Sequence, residues 1–496
     1  MVQAGAYICR SECSLDRYLE LYREHRSEIL EEYRDGVQKL DDYKWTVYTT
    51  WTISFKRLSA QSAMFLRLCA YLHHDGISEA IFRNAASNTT THGPSASKPP
   101  KAKFKFLSKR IANVSRLPSD TQGSGLRAKE FLAGFRTFDS AWDSQKFLKM
   151  ITEIRSYSLI EFDIRNQTYS IHPLVHAWIH TTISSDEAFR TWTQWILGMS
   201  ITRRHHSEDY AFRRTLQPHI NTVLEGGNSS GLEFYEDFGH VYYEVGQWRE
   251  AEKLFVQVEE ITLRVHGAEH PDTLSAMGNL ASTYRHQGRW KEAEQLELQV
   301  KDGRLKVLGE EHPDTLLAMG NLASTYRYQG RWKEAEELEL QVKDGCLKVL
   351  GAEHPDTLLA MGNLAITYSN QGRLMEAEEL DLEVKDGRLK VLGAEHPGTL
   401  SAMGNLAVAY KDQGRWNEAE ELELQVKDGC LRMRGEEHPD TLSAMGNLAN
   451  TYTRQGRWKE AEELGLQVKD GLFRVLGEEH PHTLSAMGNL AAAYEI

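Results

Sequence analysis

The sequence predicts a mainly α-helical protein whose second half is a right-handed superhelix of paired helices. A first observation is the stretch HPDTLSAMGNLASTYRHQGRW at residues 270–290, which returns in near-identical copies every 42 residues. Fixed periods of this size indicate stacked supersecondary units. A second observation is that each copy contains two segments with the spacing of an amphipathic helix, and a third is that proline and glycine bound these segments. The later copies begin at His312, His354, His396, His438 and His480.

Length and composition limit the classes of protein that fit. The 496 residues carry a net charge of −13, which argues against binding to nucleic acid or to an anionic membrane. The five cysteines are scattered and odd in number, so they predict no disulfide framework. Cys9 and Cys13 lack the second Cys/His pair that a zinc site needs. The sequence shows no leader pattern and no run of about twenty apolar residues, so we expect a cytoplasmic protein.

Residues 1–230 contain no repeat, and their first part is predicted to be helical. The apolar spacing predicts an amphipathic helix at residues 14–33 and a long helical run at 48–82. A Ser/Thr/Pro/Gly-rich insert at 86–125 has the composition of a loop or disordered segment. The apolar residues of the long run that we expect to be buried are Trp51, Phe55, Leu58, Leu66, Cys69 and Leu72.

Beyond the insert, the pattern predicts a helix at residues 142–157 and a hairpin whose strands, 158–162 and 168–171, flank a turn at Arg165-Asn166. A further helical segment follows the hairpin. Helices followed by a two-stranded wing and another helix make up the order of a winged-helix domain. The predicted domains are a helical remnant at 1–45, a winged-helix-like domain at 46–183 that contains the insert, a helical linker at 184–230 and the repeats at 231–496.

Each copy is predicted to form two antiparallel helices, here called helix A and helix B. In the first copy, helix A begins at Pro271 and ends at Gly288, and helix B covers about residues 290–308 and ends at Gly309. The apolar side of helix A is formed by Leu274, Met277, Leu280, Ala281 and Tyr284. The apolar side of helix B is formed by Ala293, Leu296, Val300 and Val307.

Two glycines lie inside the predicted helices, Gly278 in helix A and Gly303 in helix B. Each costs roughly 1 kcal/mol relative to alanine. Because both glycines return in every copy, we expect neighbouring helices to approach closely at both positions.

The repeats extend beyond the five complete copies at both ends. Phe238-Gly239 and Trp248 lie 42 residues before the equivalent positions of the first copy, but the sequence around them has diverged, as expected for a capping repeat. The sixth copy stops after helix A. The predicted superhelix therefore has one divergent, five full and one truncated repeat, and the uncovered last helix is expected to allow self-association.

The words of the copies resemble a known repeat family. Leu280-Ala281-x-x-Tyr284 matches the L-G-x-x-Y of tetratricopeptide repeats (TPR), and Ala293 matches the first alanine of their second helix. The 42-residue period with HPDT and GRWKEAE looks most like the longer repeats of kinesin light chains and of fungal NB-ARC/TPR proteins. The resemblance implies a TPR α-solenoid whose concave groove binds a peptide or partner protein.

A second resemblance concerns the non-repeat part. YTTWTISFKRL, LCAYLHHDGI and YSIHPLVHAW look like the winged-helix part of NB-ARC domains in fungal STAND proteins, which are NLR-like signalling switches. Ile171-His172-Pro173 stands in the place of their MHD motif, which implies that His172 is a vestigial nucleotide sensor. The phosphate cradle GxxxxGK[ST] of such a switch does not occur in the 496 residues. We therefore expect no cofactor, with ADP or ATP relevant only if a further N-terminal part exists.

Three other motifs carry little functional weight. His172, His176 and His180 have helical spacing, but no acidic or cysteine partner lies near them, so no metal site is predicted. GNSSG at residues 227–231 spells GxSxG without the strand and helix that this motif requires. The basic segment at 98–110 is interpreted as a solvated loop. We predict no catalytic residue and no enzyme.

Comparison of the copies separates a constant face of helix A from a variable one. Positions 275, 279, 282 and 286 lie opposite the apolar side. The asparagine at 279 persists in every copy, whereas the residues at 282 and 286 change. A fixed amide can pair with any peptide backbone, and varied neighbours can select a sequence. The alternative is a solvated face that drifts freely, but the exposed helix B positions of Glu292 and Glu294 recur nearly unchanged.

The predicted groove consists of one asparagine from each complete copy and its variable neighbours. Its residues are Asn279, Ser282, His286, Asn321, Ser324, Tyr328, Asn363, Ile366, Asn370, Asn405, Val408, Asp412, Asn447, Asn450 and Arg454.

The sequence therefore predicts a protein–protein interaction scaffold that serves as the sensor of an NLR-like signalling protein. One alternative is a truncated, nucleotide-dependent STAND switch. Another is a kinesin-light-chain-like cargo adaptor, which a heptad-bearing coiled coil before the repeats would favour, and none is present. The expected partner is a protein or peptide, and we expect binding neither to nucleic acid nor to a membrane.

Overall fold

The computed structural model describes residues 42–90, 120–183, 187–202, 207–225, 234–476 and 481–494. Over these ranges the protein is mainly helical, with one two-stranded hairpin. The chain divides into two compact units between Val258 and Glu259. Each helix in the described ranges is either too short or too polar to cross a lipid bilayer.

The first unit is a helical domain that carries the hairpin. The antiparallel strands β1 (Glu161–Asp163) and β2 (Thr168–Ser170) place Phe162 opposite Tyr169. The helices before the hairpin are α1 (Asp42–Lys56), α2 (Ala60–Cys69), α3 (Glu79–Thr90), α4 (Asp120–Ala133) and α5 (Ser144–Ser156). Those after it are α6 (Pro173–Ile183), α7 (Glu187–Ser200), α8 (Ser207–Leu224), α9 (Tyr235–Glu244) and α10 (Trp248–His266), which crosses into the second unit.

Aromatic side chains from separate helices form much of the core of the first unit. Phe65 of α2, Phe82 of α3 and Phe147 of α5 are fully buried. The ring centroid of Phe65 lies 5.1 Å from that of Phe82 and 5.7 Å from that of Phe147. Edge-to-face and tilted contacts at such distances stabilise a core beyond the area that the rings bury.

The single helical run predicted at residues 48–82 is wrong. The chain forms α1, α2 and α3 there, because Ser59 starts a new helix by accepting a hydrogen bond from the Ser62 amide at 3.3 Å. Of the residues expected to be buried in this run, Phe55 is only partly buried and the others are buried.

The helix and the hairpin predicted after the insert are confirmed, with strands shorter than expected. The bounds predicted for the insert, 86–125, are wrong at both ends, because α3 continues to Thr90 and α4 begins at Asp120. Several predictions lie outside the described residues: the helix at 14–33, the thiols of Cys9 and Cys13, the basic segment at 98–110 and the GNSSG motif at 227–231.

The second unit consists of the predicted helix pairs. Each helix packs on the next one along the chain. Copy 1 contains α11 (Pro271–His286) and α12 (Trp290–Leu308), copy 2 contains α13 (Pro313–Tyr328) and α14 (Trp332–Leu350), copy 3 contains α15 (Pro355–Asn370) and α16 (Leu374–Leu392), copy 4 contains α17 (Pro397–Asp412) and α18 (Trp416–Arg434), copy 5 contains α19 (Pro439–Arg454) and α20 (Trp458–Leu476), and the partial copy contains α21 (Pro481–Tyr494).

The cores of the copies are continuous. In copy 1, Leu274 and Met277 of helix A and Val300 of helix B form one buried cluster with Ala318 from helix A of the next copy. One expected core residue is wrong: Val307 is 46% exposed, because the last turn of helix B is left uncovered on that side. The continuous cluster is what makes the helix pairs one stack.

Only one of the two internal glycines marks a close approach. A methyl group on Gly303 would come within 2.7 Å of a Leu274 methyl carbon, so helix A and helix B touch there as predicted. The expectation at Gly278 is wrong, since an added methyl group would meet no atom within 4 Å. Gly278 faces away from the helix partners.

Histidine caps helix A, which the sequence did not reveal. In copy 1, the His270 Nδ1 atom accepts a hydrogen bond from the Asp272 amide at 3.2 Å, and Pro271 occupies the first helical position. His312, His354, His396 and His438 cap the following copies in the same way. The recurrent HP dipeptide is therefore a helix-start signal.

The partial copy leaves apolar side chains exposed that are core elsewhere. Leu484 and Met487 are 53% and 43% exposed, whereas the equivalent Leu442 and Met445 of copy 5 are 2% and 6% exposed. The difference arises because no second helix covers α21 in the described structure.

Candidate protein-interaction surface

The variable face of helix A is accessible in every complete copy. None of the fifteen predicted groove residues is buried. Tyr328 is 57% exposed, Val408 is 43% exposed and Ile366 is 39% exposed. Asn321, Asn363 and Asn405 are half-buried, and the described chain gives their side-chain amides no hydrogen-bond partner.

Successive A helices are neighbours, so their variable faces form one strip. Helix A of copies 1, 2 and 3 each contacts helix A of the following copy. The contact includes a hydrogen bond from Arg285 Nη1 to the Asn321 carbonyl oxygen at 3.2 Å, and one from Arg327 Nη1 to the Asn363 carbonyl oxygen at 3.0 Å. The asparagines of copies 1 to 4 are thus arranged along neighbouring helices rather than on isolated ones.

An acidic side chain from helix B lies buried beneath this strip in four copies. These residues are Glu297, Glu339, Asp381 and Glu423, each no more than 4% exposed. Burial raises the pKa of Glu297 above its ordinary value and raises that of Glu339 to about 7. A buried carboxylate is costly unless a charged or hydrogen-bonding partner compensates it.

A basic residue of helix A supplies that partner in three of the copies. Arg285 Nη1 lies 3.0 Å from Glu297 Oε1, and Arg327 Nη1 lies 3.5 Å from Glu339 Oε1. In copy 4, Lys411 Nζ lies 2.8 Å from Glu423 Oε1. Position 285, next to the variable position 286, thus takes part in an internal ion pair in these copies.

A threonine from the next copy supplies a second partner. Thr367 Oγ1 donates a hydrogen bond to Glu339 Oε2 at 2.5 Å, and Thr451 Oγ1 donates one to Glu423 Oε2 at 2.6 Å. The acid of one copy is therefore held by its own helix A and by helix A of the copy that follows.

Copy 3 has the acid without these partners. Ser369 stands at the position of the basic residue, and Ala409 of the next copy stands at the position of the threonine. Asp381 is 4% exposed, and its Oδ1 atom has no hydrogen-bond partner in the described structure. Burial raises the pKa of Asp381 to about 7. In copy 5 the acid itself is replaced by Gly465, where Thr453 stands at the basic position.

The constancy of exposed helix B residues has a structural cause. The Arg331 guanidinium lies 4.0 Å from the Tyr326 ring centroid, and its Nη1 atom lies 2.7 Å from Oε1 of Glu294 in the preceding copy. Arg331 also pairs with Glu334 of its own copy. Because Glu294 connects two copies, its recurrence reflects packing. It therefore cannot serve as a measure of how freely solvated positions drift from copy to copy.

His172 and the histidines after it have structural contacts. The His172 Nδ1 atom accepts a hydrogen bond from the Leu174 amide at 3.2 Å, so this exposed histidine caps α6. His176 Nε2 lies 2.9 Å from the Leu72 carbonyl oxygen, and burial lowers the pKa of His176. In the described part of the chain, no three His, Cys, Asp or Glu side chains are grouped as metal ligands.

Comparison with protein-family models identifies the repeats. Two models described as tetratricopeptide repeat match the chain, one over residues 233–306 and 356–432 and the other over residues 315–356 and 441–482. Together the matches follow the helix pairs from α9 to α20. No curated protein matches the chain significantly.

Solved structures also resemble this chain. One is described as nearly identical TPR-like repeats of a Podosopora anserina kinesin light chain, with 36% identity, 42% of this chain and 99% of that chain covered, and a TM-score of 0.37. A STAND protein with a tetratricopeptide repeat sensor from Pyrococcus horikoshii is 11% identical, and the match covers 98% of this chain and 67% of that chain with a TM-score of 0.40. A Rap protein complexed with Competence and Sporulation Factor is 11% identical, and the match covers 76% of this chain and 98% of that chain with a TM-score of 0.41.

Proposed function

Because this chain belongs to the tetratricopeptide-repeat family, a family of protein–protein interaction scaffolds, we propose that the strip of A helices is the concave groove that binds an extended peptide segment of a partner protein. The proposal rests on one observation above the others. Half-buried asparagines recur once per copy on the neighbouring A helices of copies 1 to 4, beside side chains that differ from copy to copy.

The chemistry of the strip suits peptide recognition. An amide both donates and accepts, so a row of asparagines can pair with the backbone of an extended chain whatever its sequence. Ile366 and Val408 offer apolar contacts in copies 3 and 4. In copy 2 the equivalent Ser324 is polar, and its hydroxyl donates to the Gly320 carbonyl oxygen and accepts from Arg327 Nη2. Side chains that differ along the strip would select among peptides by their sequence.

We test this proposal with Asn363→Leu and Asn405→Leu. Peptides are first selected from a random library against the intact chain, and their Kd values are then measured for each variant. We expect binding at least about ten-fold weaker in both variants, because a buried peptide group would lose its partner. Thermal unfolding should change little, since the side-chain amides make no hydrogen bond within the described chain.

The matched controls are Gln341→Leu and Gln425→Leu, which replace exposed amides on helix B of copies 2 and 4. These variants should bind the selected peptides as the original chain does. The groove assignment fails if the asparagine variants bind equally well, or if they lower the unfolding temperature as much as they weaken binding.

We further propose that the repeats act as the sensor of an NLR-like signalling protein. The motif resemblance of the segments around α1, α2 and α6 supports this role. The nucleotide-switch alternative requires a phosphate cradle, and no GxxxxGK[ST] motif occurs in the 496 residues. The cap that His172 Nδ1 provides to α6 gives this histidine a structural role. Titration of the chain with ADP should give no binding, and substitution of His172 by Ala should affect only the stability of the first unit.

Self-association through α21 is a separate proposal. The exposed Leu484 and Met487 offer an apolar face that a second copy of the chain could cover. Sedimentation of Leu484→Asp at increasing concentration should show less association than the original chain. Identical association would reject α21 as the contact.

A further inference from the structure

We propose that Asp381 is an anchor for an arginine side chain of the bound peptide, so the groove takes a cationic residue at copy 3. This inference rests on the proposed function, because it names the chemistry of one position in the same groove. Among the four buried acids, Asp381 alone lacks both a basic residue on helix A of its own copy and a threonine on helix A of the following copy.

The other copies show what such an acid binds. Arg285 Nη1 reaches two acceptors, Glu297 Oε1 at 3.0 Å and the Asn321 carbonyl oxygen at 3.2 Å. Arg327 Nη1 repeats this arrangement at the Asn363 carbonyl oxygen, 3.0 Å away, and at Glu339 Oε1, 3.5 Å away. One guanidinium nitrogen thus joins the buried acid to the backbone of the next groove asparagine.

Copy 3 retains both acceptors and lacks the donor. Its acceptors are the Asp381 carboxylate and the Asn405 carbonyl oxygen, which no side chain of the described structure approaches as a donor. Arg388, the cation that acts on Asp381, donates instead to the Gly398 carbonyl oxygen at 2.8 Å. A guanidinium from outside the chain would satisfy the two groups that Arg285 and Arg327 satisfy elsewhere.

The surroundings suit a long cationic side chain. Ser369 has a short side chain where the other copies have the long side chains of Arg285, Arg327 and Lys411. In copies 1 and 2 the guanidinium donates a hydrogen bond to a serine hydroxyl of the same helix, Ser282 or Ser324. Ile366 stands at that position in copy 3 and is 39% exposed, so it presents apolar surface beside the place of the missing guanidinium. Methylene groups of an arginine would pack on Ile366 while the charged end reaches the acid. The net charge of −13 also favours a cationic segment.

The test uses two acetylated and amidated heptapeptides that differ in one residue, Ala-Ser-Ala-Arg-Ala-Ser-Ala and the same peptide with citrulline in place of arginine. Citrulline keeps the length and the planar end group of arginine but carries no charge, and a carbonyl oxygen replaces one of its NH2 groups. We expect the intact chain to bind the arginine peptide at least about ten-fold more tightly than the citrulline peptide, measured by fluorescence polarisation up to millimolar concentration.

Two variants locate the preference. Asp381→Asn removes the charge, and Ser369→Arg supplies an internal guanidinium, so each should abolish the preference for arginine. Ser369→Arg should also raise the unfolding temperature, because it restores the ion pair of copies 1 and 2. The control Asp386→Asn changes an exposed acid on the same helix and should preserve the preference.

The inference is overturned if neither peptide binds, if both bind equally, or if Asp381→Asn keeps the preference. These failures are distinguishable from failure of the groove itself. Library-selected peptides that lose affinity in Asn363→Leu but not in Asp381→Asn would support the groove and reject the anchor. Selected peptides that bind Asn363→Leu and Asn405→Leu unchanged would reject the groove.

Discussion

At the scale of single residues, the copies differ most informatively at three coupled positions. A basic residue on helix A, an acid on helix B and a threonine on the next helix A occur together in copies 1, 2 and 4. Copy 3 replaces all three, with Ser369, Asp381 and Ala409, and so keeps a buried carboxylic acid without its partners. The three positions change together although they lie on three helices, which indicates that their side chains are in contact. Independent drift at separate solvated positions would not produce joint changes.

The stability of Asp381→Asn should depend on pH in a definite direction. Burial raises the pKa of Asp381 from 3.8 to about 7, so the folded chain holds a proton there that the unfolded chain releases above about pH 4. The original chain therefore loses stability as pH rises from about 4 to about 7, whereas asparagine cannot ionise.

We expect Asp381→Asn to match the original chain near pH 4 and to exceed it by about 1–3 kcal/mol near pH 8. Urea unfolding at the two pH values measures this difference. The exposed control Asp386→Asn should show no such trend, and a gain from Asp381→Asn that is equal at both pH values would contradict the assignment.

At the scale of elements, helix A and helix B of one copy meet at a glycine. The contact of Gly345 in helix B with Leu316 in helix A repeats that of Gly303 with Leu274, and Leu316 is 3% exposed. The glycine of helix A, Gly320, has open space around it. Two glycines that look alike in the sequence therefore have opposite packing.

This difference gives opposite mutational outcomes. Gly345→Ala should destabilise the protein by about 1–3 kcal/mol, because its methyl group would lie 2.7 Å from a methyl carbon of Leu316, a side chain that is only 3% exposed. Gly320→Ala should stabilise it by up to about 1 kcal/mol, because alanine is the better helix former. Denaturant midpoints measure both, and equal effects would contradict the described packing.

At the scale of the whole repeat array, stability depends on the contacts between copies. Arg373 connects copies 2 and 3, since its Nη1 atom lies 2.6 Å from Glu336 Oε1 and its guanidinium lies 3.9 Å from the Tyr368 ring centroid. Such nearest-neighbour terms keep a repeat array folding as one unit.

Arg373→Ala should therefore weaken the coupling between copies 2 and 3 rather than unfold one helix. We expect a loss of about 1–2 kcal/mol and a broader thermal transition measured by calorimetry. Lys333→Ala, at an exposed position on helix B of copy 2, is the control and should leave the transition sharp. A sharp transition at an unchanged temperature in Arg373→Ala would show that the array does not depend on this contact.

The sequence by itself determined the helix pairs of this protein. Their 42-residue period, apolar spacing and bounding proline and glycine are local signals, so the bounds of α11 and α12 agree with those predicted. The tertiary structure alone decided that Asp381 is buried without the partners of the other acids, that His270 caps helix A, and that Gly303 and Gly278 differ in packing. Each of these depends on which side chains meet across separate helices, or on where a helix begins, and the period of a single helix contains no information about either. Comparison of positions 285, 297 and 325 across the copies was the available signal for the buried acid, but only their contact showed that the three positions belong together.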